Sequence, residues 1–220
     1  MTALVTGASR GIGRGLVEAA AAAGEAVIGT HRGPAPAVAG VDWLPLDLRD
    51  PESPRALAAR LGSRQISLLV CNAGVYPDKG DTLDTGFAAS DWAETFAVNV
   101  AGVFLTVQAL LPNLATAAAP RVAIIASNMG SSSRARGGSY IYRASKAAAI
   151  NLGRNLAIDL APRRIAVGIY HPGWVLTRMG GDGADIDIDT AVAGLRRRFA
   201  ALSPATSGCF ESYDGTSLEF

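Results

Sequence analysis

Short apolar runs alternate with helically spaced stretches along the whole chain. Ala3–Thr6 is a four-residue run ended by glycines, and Gly13–Gly24 is Ala-rich, free of proline and closed by Gly24. That pattern predicts a strand followed by a helix. Ala26–Thr30 and Val41–Leu46 read as the next strands, separated by a Pro/Gly loop over Gly33–Gly40. Pro54–Leu61 reads as a helix with proline in its first turn. Ile66–Cys71 carries the clearest buried-strand signal and leads into a Gly/Asp/Pro loop over Val75–Phe87. Ser90 or Asp91 is placed to cap a helix. Its apolar spacing then runs through Val100, Val103, Phe104, Val107, Leu110, Leu111 and Leu114. Arg121–Ala126 is a fifth strand, Ser127–Ser139 a polar loop, and Tyr140–Ala161 a long helix stopped by Pro162. Ile165–Tyr170 is a sixth strand, Thr190–Leu202 a helix and Gly208–Ser212 a short last strand.

Strands this short, joined by helices, indicate βαβ units and a parallel sheet covered on both faces. The expectation is an α/β fold: one domain over residues 1–220, a doubly wound, Rossmann-like sheet of about seven strands. A ligand would then lie at the carboxyl ends of the strands, where their order reverses. Composition supports a sizeable core, with 49% hydrophobic and 18% charged residues. A net charge of +1 leaves no basic excess for nucleic acid. The two cysteines, Cys71 and Cys209, make neither a disulfide framework nor a metal site, and His31 and His171 have no metal spacing. No uninterrupted apolar run reaches spanning length and no leader pattern is present. The expected setting is cytoplasmic, with neither membrane nor metal.

Two stretches carry chemistry. In the first, Thr6-Gly7-Ala8-Ser9-Arg10-Gly11-Ile12-Gly13 joins the first strand to the first helix. Glycines there permit a tight turn and close approach of backbone to a phosphate. The helix start adds free N–H groups and a partial positive charge. Gly7 to Gly11 also fits G-x-S-x-G, the nucleophile elbow of serine hydrolases, with His171 as base and Asp159 as orienter. That fold needs an oxyanion N–H from an upstream loop, and only eight residues precede Ser9.

In the second, Tyr142 and Lys146 stand four apart on a predicted helix and so share a face. A phenol has a pKa near ~10. An ammonium about 5 Å away, at an effective dielectric of ~20, favours the phenolate by roughly 3 kcal/mol. The pair is therefore expected to pull the phenol towards neutral pH, where acid–base catalysis works best. Tyr140 is six residues from Lys146 and less well aligned.

With these motifs in this order, the sequence resembles the short-chain dehydrogenase/reductase family over nearly its whole length. Thr6–Gly13 matches the TGxxxGIG cofactor turn, and Cys71-Asn72-Ala73-Gly74 matches NNAG with Cys71 in place of the first Asn. Asn99 and Ser127 match the active-site Asn and Ser, Tyr142 with Lys146 matches YxxxK, and His171–Thr177 matches the PG…T segment that closes over nicotinamide. His-Pro-Gly-Trp-Val at 171–175, Arg178-Met179-Gly180-Gly181 and Tyr213-Asp214-Gly215 resemble the small carbonyl-reductase and C-factor-like branch.

The resemblance implies hydride transfer between a nicotinamide and a carbonyl or alcohol carbon. Tyr142 would give the proton, Ser127 would orient the carbonyl oxygen, and Lys146 would tune Tyr142 and bind ribose hydroxyls. Asn99 would hold a relay water. It also implies cofactor contacts from Gly7, Ser9, Arg10, Gly11, Ile12, Gly13, Asp47, Leu48, Asn72, Ala73, Gly74, Pro172, Gly173, Val175 and Thr177. The residue about twenty positions after the turn separates the two nicotinamide nucleotides. His31 and Arg32 stand there without a carboxylate, and Arg32 and Arg10 can pair with a 2′-phosphate. The expected cofactor is NADP(H).

Only twelve residues separate Thr177 from Thr190, so Gly180–Asp189 reads as a short mobile loop over an open pocket. Tyr76, Met129, Tyr140, Trp174 and Met179 are candidate walls for an apolar or aromatic carbonyl or alcohol substrate. His171 reads as structural. The chain is expected to act as a monomer or homodimer. The alternative is a nucleotide-binding signalling or redox-sensing protein with little turnover, against which the intact Ser127, Tyr142 and Lys146 argue.

Overall fold

The structure is a computed structural model that describes all 220 residues. Seven strands form one parallel sheet: β1 (Thr2–Val5), β2 (Ala26–His31), β3 (Val41–Pro45), β4 (Leu68–Cys71), β5 (Arg121–Ile125), β6 (Ala166–His171) and β7 (Phe210–Ser212). Their order is β3-β2-β1-β4-β5-β6-β7, so the winding reverses between β1 and β4. Six α-helices accompany them: α1 (Gly11–Ala22), α2 (Ser53–Leu61), α3 (Ala89–Phe96), α4 (Gly102–Ala115), α5 (Tyr140–Leu160) and α6 (Ile188–Ala201).

The two-residue period of the strands sorts the core into two layers. Leu4, Ile28, Leu69, Ile124 and Val167 face one side, where they meet Leu57 and Leu61 of α2, Leu110 and Leu114 of α4 and Leu156 of α5. Ala3, Val5, Val27, Val70 and Ala123 face the other, against Leu16 and Val17 of α1 and Val192, Leu195 and Phe199 of α6. Leu4 stands beside Ile28 on one side and Leu69 on the other, which fixes the register of the three central strands. Burying each of the Val, Leu, Ile and Phe side chains among them stabilises the fold by about 1.5–3 kcal/mol.

Several expected boundaries shift. Neither Ser90 nor Asp91 caps the central helix: it starts at Ala89 with no side-chain cap, and Asp91 lies in the first turn, where a carboxylate suits the positive helix end. The helix is also not one continuous α-helix, because a π turn over Ala97–Ala101 divides α3 from α4. Ala89–Ala115, though interrupted by polar residues such as Asp91 and Glu94, is long and apolar enough to cross a membrane by length and composition. Here Val98, Val103, Val107, Leu110 and Leu114 from that stretch are buried in the core. The last helix begins at Ile188, not Thr190, because Asp187 accepts a hydrogen bond from the Thr190 N–H at 2.7 Å. The segment expected as a mobile loop is hydrogen-bonded back onto the chain. Asp185 N–H donates to Trp174 O at 3.0 Å and Leu176 N–H to Ile186 O at 2.8 Å.

Candidate active site

The glycine turn sits at the carboxyl end of β1, beside the point of reversal. Gly7 and Gly11 have φ of +64° and +56°. A Cβ on Gly7 would lie 2.8 Å from Ala73 Cα, and one on Gly13 would lie 2.5 Å from Asn72 Nδ2. Only glycine fits at either place. Residues following β4 fasten the turn. Thr6 Oγ1 accepts from the N–H groups of Asn72 (3.0 Å) and Ala73 (3.1 Å), and Asn72 Nδ2 donates to Thr6 O (2.9 Å). Asn72 and Ala73 thus shape the cradle. Arg10 precedes α1 and makes no side-chain cap, so the first helical N–H groups stay available to an anion.

Three cations gather at this end. Partial burial, then the fields of Arg178 and Arg32, lower the pKa of Arg10. Arg178, which the sequence offers only within Arg178-Met179-Gly180-Gly181, joins them because it follows Thr177, whose Cγ2 lies 3.6 Å from where a Gly11 Cβ would stand. Two of the residues expected to contact the nucleotide have close protein partners of their own. The Asp47 carboxylate is paired with Arg49 (Nη2–Oδ2 2.5 Å), which holds its pKa low. Leu48 is buried against Gly102 at the start of α4, so only its backbone is left to meet a ligand.

Deeper in the crevice lie the expected catalytic groups. Ser127 leaves β5 and accepts from the Met129 N–H at 3.2 Å, which leaves its own O–H to donate, here towards the Tyr142 oxygen. Tyr142 is 8% exposed on the first turn of α5. Lys146, one turn on, is 5% exposed, with Nζ 5.6 Å from the Tyr142 ring centroid and 2.9 Å from Ile125 O, to which it donates. Burial pushes the Tyr142 phenol up to about 12, although hydrogen bonding with Ser127 opposes it, and burial pushes Lys146 down to about 8. Desolvation sets the phenol, and Lys146 does not exert on it the expected pull towards neutral pH.

Asn99 lies within the π turn and is 1% exposed. Its amide protons go to Val75 O and Ser145 Oγ, both at 3.0 Å, and its Oδ1 accepts from the Val75 N–H at 2.9 Å. Both donors being engaged, the side chain braces α5 against the loop after β4. A relay water would have to use other atoms of Asn99.

Ser127 and Tyr142 open onto a cavity of about 640 Å³ whose lining includes Ile12, Pro172, Gly173, Val175 and Thr177. Ser127 and Tyr142 thus share this cavity with five of the expected nucleotide-facing residues, while Asn99, Lys146 and the turn from Gly7 to Gly11 lie outside its lining. Residues 1–185 match the short chain dehydrogenase family. The chain belongs to that family of oxidoreductases.

Among its relatives, C-signal of Myxococcus xanthus is 38% identical over 165 residues, covering 74% of this chain and 98% of that protein. The 1-hydroxy-2-glutathionyl-2-methyl-3-butene dehydrogenase of Rhodococcus sp. (strain AD45) is 35% identical, covering 100% and 99%. An NADPH-bound carbonyl reductase from chicken fatty liver has a similar fold, with a TM-score of 0.90 and 31% identity over 100% of this chain and 98% of that one.

For this member of the short-chain dehydrogenases, the hydrolase alternative fails on placement. Ser9 is exposed and lies outside the cavity that His171 lines, and Asp159 is exposed near the far end of α5. Tyr76, Met129, Trp174 and Met179 line the cavity as expected. Tyr140 does not: its ring packs edge-on against Phe87, with centroids 5.3 Å apart. At the cavity mouth Lys79 Nζ donates to Gly180 O at 3.1 Å, and Trp174 Nε1 donates to the same carbonyl at 3.0 Å. Sequence reading missed Lys79 and the buried Asp78 beside it, because an unpatterned loop gives no periodic signal.

Proposed function

We propose that this protein is an NADPH-dependent reductase of carbonyl compounds. The observation that carries this reading is the joint placement of Ser127 and Tyr142 on a cavity that Ile12 and Thr177 also line. The nucleotide fits the residues present: the glycine cradle that a Cβ would fill, the free N–H groups opening α1, and Arg10, Arg32 and Arg178 for a 2′-phosphate. The NADPH-bound chicken carbonyl reductase supports the same assignment. When bound, the nicotinamide supplies the hydride.

The chain's own groups handle the oxygen and its proton. Ser127 donates a hydrogen bond to the substrate carbonyl, stabilising the charge that grows there. Tyr142 holds its proton at neutral pH, since burial keeps the phenol near 12, and gives it to that oxygen. This protonated resting form suits the reductive direction. Lys146, still largely cationic at pH 7 with a pKa of about 8, stands 5.6 Å from the Tyr142 ring centroid and would meet the ribose hydroxyls.

The test is NADPH oxidation across a panel of ketones, aldehydes and quinones, with NADH as control. Tyr142→Phe should lower turnover by about 10²–10⁴-fold with nucleotide affinity close to wild type. Near-normal rates in that variant would remove Tyr142 from the chemistry. Nucleotide binding without oxidation of any member of the panel would favour a sensor, a reading to which the similarity to C-signal lends support.

A further inference from the structure

The loop that leaves β4 reaches across to the start of α5. There Tyr76 lies face to face with Tyr142, with ring centroids 4.1 Å apart and planes 17° apart. The Tyr76 hydroxyl is 2.5 Å from Ser139 Oγ. Ser139 immediately precedes α5 in a left-handed backbone conformation, φ +48°, and its hydroxyl caps no helical N–H. Asp78 takes that task instead. It is fully buried, and it accepts from the Ile141 N–H at 2.8 Å and the Tyr142 N–H at 3.3 Å. One short loop thus grips Tyr142 twice, by its backbone through Asp78 and by its ring through Tyr76.

The geometry points to Tyr76 as a positioning residue for the Tyr142 phenol, acting through the ring stack and the tether to Ser139. A tyrosine on the first turn of a helix is free to swing about its Cα–Cβ and Cβ–Cγ bonds. A flat neighbour on one face, itself anchored at its hydroxyl, narrows that swing. Misplacing a reacting atom by 1 Å costs on the order of 10²-fold in rate, so a stack that only orients has a kinetic value. Ser139 does not cap α5 because Asp78 already accepts from the Ile141 and Tyr142 N–H groups, which leaves the Ser139 hydroxyl to Tyr76.

This role rests on the proposed reduction, and the test separates the two. In Tyr76→Leu, which removes stack and tether, kcat should fall about tenfold or more while the KM values and NADPH affinity stay within about twofold. Tyr76→Phe and Ser139→Ala remove the same hydrogen bond, so each should give a smaller loss of similar size. The double variant should be no worse than either single one. A second readout needs no turnover. Ring-proton NMR signals of Tyr142, assigned by their loss in Tyr142→Phe, should shift in Tyr76→Leu as the stacked ring's current disappears.

An unchanged kcat with only KM altered would reduce Tyr76 to a cavity wall and overturn the proposal. Unmoved Tyr142 signals, or additive losses in the double variant, would overturn it too. A wild-type protein that reduces nothing in the panel would sink the reductase reading, and the NMR readout of the stack would still stand.

Discussion

His171 ends β6 with its Nδ1 buried and without a hydrogen-bond partner. Burial, with help from Arg134 and against Asp214, pushes the imidazole down to about 4. The unfolded chain takes up this proton near pH ~6.5, so between that pH and 4 the unfolded state binds more protons than the native one. Stability from this group is therefore complete above ~6.5 and is lost as pH falls through 4, by about 3 kcal/mol in all. Urea unfolding at a series of pH values should show wild type losing stability faster than His171→Asn across that window. Parallel curves would clear His171 of the role.

Charge at the other end of the crevice gives a second prediction. Arg32→Asp should raise the KM for NADPH at least ~10-fold and leave that for NADH far less affected. Equal effects would argue against a 2′-phosphate contact. At this scale, Ser127, Tyr142 and Lys146 were legible because their spacing and position after a strand are local facts. Their protonation was not, because burial depends on what packs over them. Tyr76 was legible only as a wall, since its partner Ser139 lies 63 residues away. Asp47 and Leu48 matched by position, yet the Arg49 pair and the core decide what each side chain meets.

Among the elements, α5 depends on the loop before it. Gly130 lies so close that a Cβ there would stand 2.6 Å from the Lys146 carbonyl carbon and 2.7 Å from the Ala147 nitrogen. Backbone atoms in a helix cannot move aside cheaply. Gly130→Ala should cost about 1–3 kcal/mol and lower turnover as well, because the displaced turn carries Lys146. Gly33→Ala is the control: nothing lies within 4 Å of its Cβ position, and its melting temperature should match wild type. Calorimetry and NADPH oxidation on both variants check this. Periodicity located every strand and α-helix to within a few residues. It could not show the π turn at Ala97–Ala101, because one extra residue in a turn leaves the apolar pattern almost intact. The cap at Asp187 was missed because Thr190 is itself a plausible helix start.

At the scale of the molecule, the reversal between β1 and β4 opens the crevice, and ligand there bridges residues from both halves of the sheet. Binding should therefore stabilise the whole fold. At 100 times its Kd, NADPH should add about 2.7 kcal/mol, or roughly 5–10 °C in Tm for a domain of this size. NADH at the same concentration should give a smaller rise in differential scanning fluorimetry, and an equal rise would count against nucleotide selectivity. Parallel winding was legible from the alternation of strand and helix, but strand order was not, since it depends on which crossovers turn back.

The stretch from Asn72 to Asp78 shapes the glycine turn at one end and holds α5 at the other. In a saturation library these seven positions should be the least forgiving on the surface of the crevice, with most changes abolishing nucleotide retention and turnover together. Residues 179–186 fold back instead on Trp174–Thr177, with the Gly180 N–H on Thr177 Oγ1 at 3.0 Å. Diversity at 182–185, which leaves Gly180, Gly181 and their bonds to Thr177 in place, should retune which compounds are accepted while sparing the nucleotide, which makes that segment the place to begin reshaping selectivity.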